Sequence, residues 1–180
     1  MKKPHKFLTL CALLTAAACS YSHVVLDEPV ALAGSSYKAV LRVGHGCAGS
    51  PTTAIKVFLP AGFQGAKPMP KAGWLVSIRQ EKLPRPYSSH GQQISEDVVE
   101  ISWTASSQAN WLPDAFFDEF VLRGTLPAQA GAQWFKVLQT CENGSIDWAQ
   151  LPASGTSTRG LKSPAVLLEV LPSEQIDHQH

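Results

Sequence analysis

Of the six histidines in this 180-residue sequence, His23 has the most suggestive setting. It follows Ser20-Tyr21-Ser22, which places small residues at −3 and −1 of a leader-peptidase cut. Cleavage after Ser22 would put His23 at the amino terminus. There the terminal amine and the imidazole Nδ1 can close a chelate ring on one metal ion. An unperturbed terminal amine has a pKa of about 7.7–8.0, so a metal competes readily for its lone pair. A histidine inside the chain has only its ring to offer.

A second group with chemical potential is Glu119, in the run Phe116-Phe117-Asp118-Glu119-Phe120. A carboxylate beside so many aromatic rings needs positive charge to compensate it. A metal would serve, with Asp118 as the alternative ligand. A surface pair with Arg123 would also serve, and would be worth little. His45 could add a second imidazole, but it directly precedes Gly46-Cys47, where turn formation is the simpler role. Ser89, His90 and Asp97 could be drawn as a hydrolytic triad; the sequence has no Gly-x-Ser-x-Gly elbow to support it. His178 and His180 stand in a polar tail, where two imidazoles would chelate loosely at best.

These groups need strands to position them. Thirteen prolines and thirteen glycines punctuate short runs with period-two apolar patterning. About nine strands are expected: 23–26, 36–43, 54–59, 74–78, 99–103, 118–123, 133–141, 145–148 and 166–170. Asn143-Gly144 between two apolar runs predicts a two-residue hairpin turn with positive φ at both residues. That register pairs Cys141 with Ile146 and Gln139 with Trp148, and turns Phe135, Val137, Gln139 and Trp148 toward the core. Trp134, Lys136 and Leu138 then face away. Only 112–117 suggests a helical turn. The pattern is that of an all-β, antiparallel sandwich.

Ahead of the strands, Lys2, Lys3 and Lys6 precede an apolar stretch from Phe7 to Ala18, as in a signal peptide covering residues 1–22. Ala16-Ala17-Ala18-Cys19 loosely resembles a lipobox, which would make Cys19 a lipidated terminus instead. Removal of the leader takes three lysines and no acids, changing the formal charge from +1 to −2. That balance gives no footprint for nucleic acid, and no later stretch is apolar enough for a membrane helix. The mature chain keeps two cysteines, Cys47 and Cys141. In an oxidising compartment they are expected to pair, a thiolate metal site being the alternative. The expected organisation is a leader, a domain over 23–171 and a tail over 172–180.

Several blocks now taken together resemble the YcnI-like bacterial copper-binding family. They are the His23-Val24 start, Ala33-Gly34-Ser35, Arg42-Val43-Gly44-His45-Gly46-Cys47 and Gly49-Ser50-Pro51-Thr52-Thr53. Next come Lys67-Pro68-Met69-Pro70-Lys71-Ala72-Gly73-Trp74, Asp118-Glu119-Phe120, Gln139-Thr140-Cys141 and Asn143-Gly144 before Trp148. The resemblance implies an immunoglobulin- or cupredoxin-like sandwich holding Cu(II) in a monohistidine brace. His23 would chelate through amine and ring, Glu119 would complete the site, and Trp134 or Trp148 would close over it. A mixed N,N,O donor set suits Cu(II), which leads the divalent affinity order. The implied role is copper handling outside the cytoplasm without catalysis, with copper chaperones or importers of the envelope as partners. Two other readings are a copper-dependent oxidase or monooxygenase and a metal-free adhesion sandwich.

Overall fold

Period-two burial organises the chain. In β3 (Ser36–Val43), Tyr37, Ala39, Leu41 and Val43 are buried while Ser36 and Lys38 are exposed. In β9 (Gly131–Cys141), Phe135, Val137, Gln139 and Cys141 face inward. Successive side chains of a strand leave on opposite faces, so one face of each can be apolar and the other wet. The computed structural model describes residues 23–173. The expected leader and its cleavage site, Cys19, His178 and His180 lie outside the described residues.

Two sheets result. A four-stranded sheet has the order β1 (Val25–Leu26), β3, β8 (Asp118–Thr125), β5 (Gln64–Pro68). The other, of seven strands, runs β2 (Val30–Leu32), β11 (Val166–Leu171), β9, β4 (Thr52–Phe58), β7 (Gln92–Ala105), β6 (Trp74–Ser89). Its seventh strand, β10 (Ser145–Trp148), pairs with β9 on the same edge as β11. Phe120 of β8 ties the layers together, its ring meeting Trp74 at 5.1 Å and Trp103 at 5.7 Å. The result is an all-β sandwich, antiparallel except for β2 against β11, which is parallel.

Four details differ from the sequence expectations. The described residues hold eleven strands, because β2 and β5 form from segments with no alternation to announce them. The 112–117 turn shrinks to one bond from Phe116 N to Pro113 O at 3.0 Å, and a 3-10 turn forms upstream at Gln108–Asn110. The β9–β10 hairpin pairs Gln139 with Ile146 and Val137 with Trp148. Only Gly144 there has positive φ (85°), so the turn centres on Glu142-Asn143 and the register slips by two residues. A two-residue slip preserves the faces, and Trp148 is buried as expected. Consecutive left-handed residues occur instead at His90-Gly91 (φ 49° and 75°), closing the long β6–β7 hairpin, and at Ala48-Gly49 (φ 49° and 86°).

Both tyrosines of the domain are held as neutral phenols. Burial, with help from Glu28 and Asp27, pushes Tyr37 up to about 12, and its hydroxyl donates to Glu28 O at 2.6 Å. Burial also raises Tyr87 to about 12, aided by Asp97, whose Oδ2 accepts its proton at 2.7 Å. A phenol with a raised pKa stabilises the fold fully below its unfolded pKa near 10 and loses that contribution as pH climbs through 12. A chain that starts at His23 should therefore show no native tyrosinate absorbance step near pH 10. Its stability should begin to fall between pH 10 and 12. A full step at pH 10 without unfolding would contradict these environments.

Candidate metal site

The amino-terminal corner is built where three strand ends meet. β1 enters beside β3, with Val25 opposite Arg42 and Leu26 opposite Leu41. Val24 and Leu26 are buried and fix the direction in which His23 leaves the sandwich. On the facing layer, β10 ends at Trp148 and β11 begins at Val166, both against β9. The half-buried His23 ring packs edge-on to the Trp148 indole, with centroids 5.6 Å apart. His23 also lines a groove with Val24, Pro164, Ala165 and Val166.

His45 approaches the same indole, its ring centroid 6.3 Å from that of Trp148. Its loop is tightly determined. Cys47 and Ser50 exchange both backbone hydrogen bonds at 3.0 Å across Ala48 and Gly49, which both have positive φ. A Cβ at Gly46 would lie 1.9 Å from Ser50 O, so only glycine fits, and Gly46 N donates to Asp114 Oδ1 at 2.9 Å. The Cys47–Cys141 disulfide fastens this loop to the end of β9, with Cα atoms 6.0 Å apart.

Gln139 connects these parts. It is fully buried. Its Nε2 donates to His45 O at 2.6 Å and to Thr52 Oγ1 at 2.8 Å, and its Oε1 accepts from Trp148 Nε1 at 3.0 Å. Sequence reasoning placed Gln139 on the core face without giving it a role. The available signal was a single amide among Phe135, Val137 and Cys141, since a buried amide needs partners. Asp114 carried no comparable signal.

The carboxylates expected at the site, Glu119 and Asp118, are engaged by other side chains. Glu119 lies opposite Arg42, which separates it from β1, and its Oε1 is 3.7 Å from Arg42 Nε. Arg42 also pairs with Asp27. The compensating cation for Glu119 is therefore Arg42, in a pair more than a third exposed, and not Arg123. Phe116 and Phe117 point into solvent and do not bury the carboxylate. Asp118 accepts from Lys71 Nζ at 2.6 Å, while that ammonium lies 5.1 Å from the Phe120 ring centroid. Among the described residues, no group of three or more His, Cys, Asp and Glu side chains is gathered for a metal. Trp134 sits on the outer face of the large sheet beside Phe58, Lys136 and Asp147. Of the two tryptophans considered, Trp148 is the one against His23.

The Ser89, His90 and Asp97 set is likewise divided between structural tasks. Asp97 accepts from Tyr87 Oη, Gly65 N and Val98 N at 2.7–2.9 Å, and His90 forms the hairpin turn. No helix among the described residues is long and apolar enough to cross a membrane.

These elements define an immunoglobulin-like β-sandwich carrying a histidine–tryptophan corner at the start of its first strand. The chain belongs to the family described as "Domain of unknown function (DUF1775)", which matches residues 23–170. Among solved structures, it is similar to an uncharacterized protein from Nocardia farcinica with an immunoglobulin-like fold. That likeness has 25% identity and a TM-score of 0.63, covering 82% of this chain and 97% of the other. A type I cohesin from Pseudobacteroides cellulosolvens aligns at 9% identity and TM-score 0.39, covering 88% and 97%. Comparison with curated proteins found no match.

Proposed function

We propose that the domain binds one Cu(II) at His23, using the terminal amine freed by cleavage after Ser22 together with the His23 imidazole. The observation that carries this reading is the packing of the His23 ring on buried Trp148 at the first residue of the family match. A match that starts at His23 supports a domain boundary there, and a paired Cys47–Cys141 suits an oxidising compartment outside the cytoplasm. The corner fits a nitrogen-bound ion, because the His23 imidazole stands beside the Trp148 indole and no lysine or arginine among the described residues lines its groove. Resemblance to YcnI-like proteins selects copper over other divalent ions. It also suggests copper-handling envelope proteins, a chaperone or importer, as partners. A carboxylate from Glu119 would join the ion only by leaving Arg42.

When bound, Cu(II) supplies a Lewis-acidic centre that the domain holds and hands on. His23 chelates, Trp148 shields one side of the ring, and Val24 and Leu26 anchor the strand that carries both donors. The role is binding rather than catalysis.

Two forms of the protein test this, one starting at His23 and one with a single residue added ahead of it. The native terminus should bind one Cu(II), and the extension should weaken binding at least ~100-fold, since it converts the amine to an amide. Calorimetric titration and electron paramagnetic resonance would read both. Equal affinity in the two forms would overturn the chelate. With reductant present, peroxide formation should stay no higher than that of the same free copper; a large excess would favour the oxidase reading.

A further inference from the structure

We infer that His45 supplies a second imidazole, through Nε2, to the ion chelated by His23. The inference rests on the Cu(II) reading of His23 but concerns a residue to which that reading gives no part.

The first support is the state of the His45 ring. Its Nδ1 faces Gly46 O, and a carbonyl oxygen can only accept. A hydrogen bond to that oxygen requires the proton on Nδ1, and in that tautomer of the neutral ring Nε2 presents its lone pair. This is the arrangement that metal-binding imidazoles adopt, with the far nitrogen donating to a backbone carbonyl and thereby fixing the tautomer. The second support is that Nε2 is buried and has no hydrogen-bond partner among the described residues. A buried polar atom left unmatched is uncommon and unfavourable. If turn formation were the whole purpose of His45, Nε2 would serve nothing. An asparagine could offer a similar short donor without burying a second polar atom.

The third support is position. His23 and His45 come from opposite ends of the first 23 residues of the domain, yet both rings meet the Trp148 indole. The His45 backbone is held by Gln139, which also holds the Trp148 N–H, and the following residue is held by Asp114. Rigid support of this kind suits a ligand better than an adaptable surface loop does. Amine plus two imidazoles gives a three-nitrogen donor set, which Cu(II) accepts in tetragonal geometry.

The test uses the protein with a native His23 terminus, alone and as the His45→Asn variant. Asparagine can keep a donor near Gly46 O while deleting Nε2. Pulsed electron paramagnetic resonance on the one-to-one Cu(II) complex counts imidazoles through their remote nitrogens. Two are expected in the unmodified chain and one in the variant, with affinity for Cu(II) lowered roughly 10–100-fold. Thermal unfolding without metal checks that the variant folds; His45→Phe, which fills the same space without a nitrogen, replaces it if asparagine fails. One imidazole in both proteins, with unchanged affinity, would overturn the inference and leave the His23 chelate standing. Absence of Cu(II) binding in the unmodified chain would overturn both.

Discussion

Replacing Cys47 and Cys141 together by alanine is expected to lower stability by roughly 4–5 kcal/mol. The bridge joins residues 94 apart. Loop-closure entropy removed from the unfolded chain grows with the logarithm of that separation, which places this bond near the upper end of single-disulfide effects. The native contribution points the same way. Both half-cystines are buried, and Cys141 Sγ lies 3.9 Å from Thr52 Oγ1. A domain of this size has about 5–15 kcal/mol in total, so the loss is a large fraction of it. With a urea m-value of about 2 kcal/mol/M, the midpoint should fall by about 2 M. The m-value should also rise, because the unfolded chain without its crosslink exposes more surface. A midpoint change under ~0.5 M would show that the unfolded chain is already compact around this pair. The alanine variant should also lose order locally, since Cys47 closes the turn that presents His45.

The strands that sequence patterning located are those with one buried face. In β3, β4, β7 and β9 the apolar residues recur every second position, and Ile55, Val57, Ile101 and Trp103 are fully buried where alternation put them. Pairing of Cys47 with Cys141 was legible from the cysteine count and an expected oxidising compartment, and the structure contains the bond. The β5 segment Gln-Gly-Ala-Lys-Pro was not legible, because it is a strand only by virtue of its neighbour β8. The outer halves of β6 and β7 were missed for a related reason. Residues 79–96 form an arm with both faces largely exposed, so no burial pattern marks them.

The site was legible at one end. His23 could be singled out from its place after Ser22, whereas its contact with Trp148 depends on β1 meeting the β10–β11 junction across two sheets. Glu119 drew attention through aromatic neighbours in sequence. Strand geometry sends those neighbours elsewhere: Phe120 enters the core, Phe116 and Phe117 enter solvent, and Glu119 meets Arg42 from the next strand. Composition along a strand cannot reveal such a cross-strand partner. His45 shows the converse. A turn beside a cysteine was the economical reading of Gly44-His45-Gly46-Cys47, and the turn is there. Only the unpartnered Nε2 gives the ring a further purpose.

Gln139→Met should cost about 3–5 kcal/mol, although methionine nearly matches glutamine in shape and the position is fully buried. On transfer energy alone, an apolar residue should be favoured there. The three hydrogen bonds reverse that expectation. Removing the amide leaves Trp148 Nε1–H and His45 O without partners in a dry interior, at about 1–3 kcal/mol for each orphaned group, and Thr52 Oγ1 loses a donor. Gln139→Glu should restore only part of the network. A carboxylate can accept from Trp148 and Thr52, but it repels His45 O, so this variant should be more stable at pH 4 than at pH 7. The sign follows from burial, which raises the carboxyl pKa and favours the protonated form. Urea unfolding at both pH values measures the effect, and hydrogen exchange of the Trp148 indole N–H shows where it acts. A cost below ~1 kcal/mol for methionine, with the indole proton still protected, would mean that water or rearranged side chains replace the amide. If the network is intact only with glutamine, Cu(II) affinity should also fall in Gln139→Met. In that variant His23 and His45 would be chemically unchanged, and the loss would arise because the indole and the His45 backbone no longer share one fixed support.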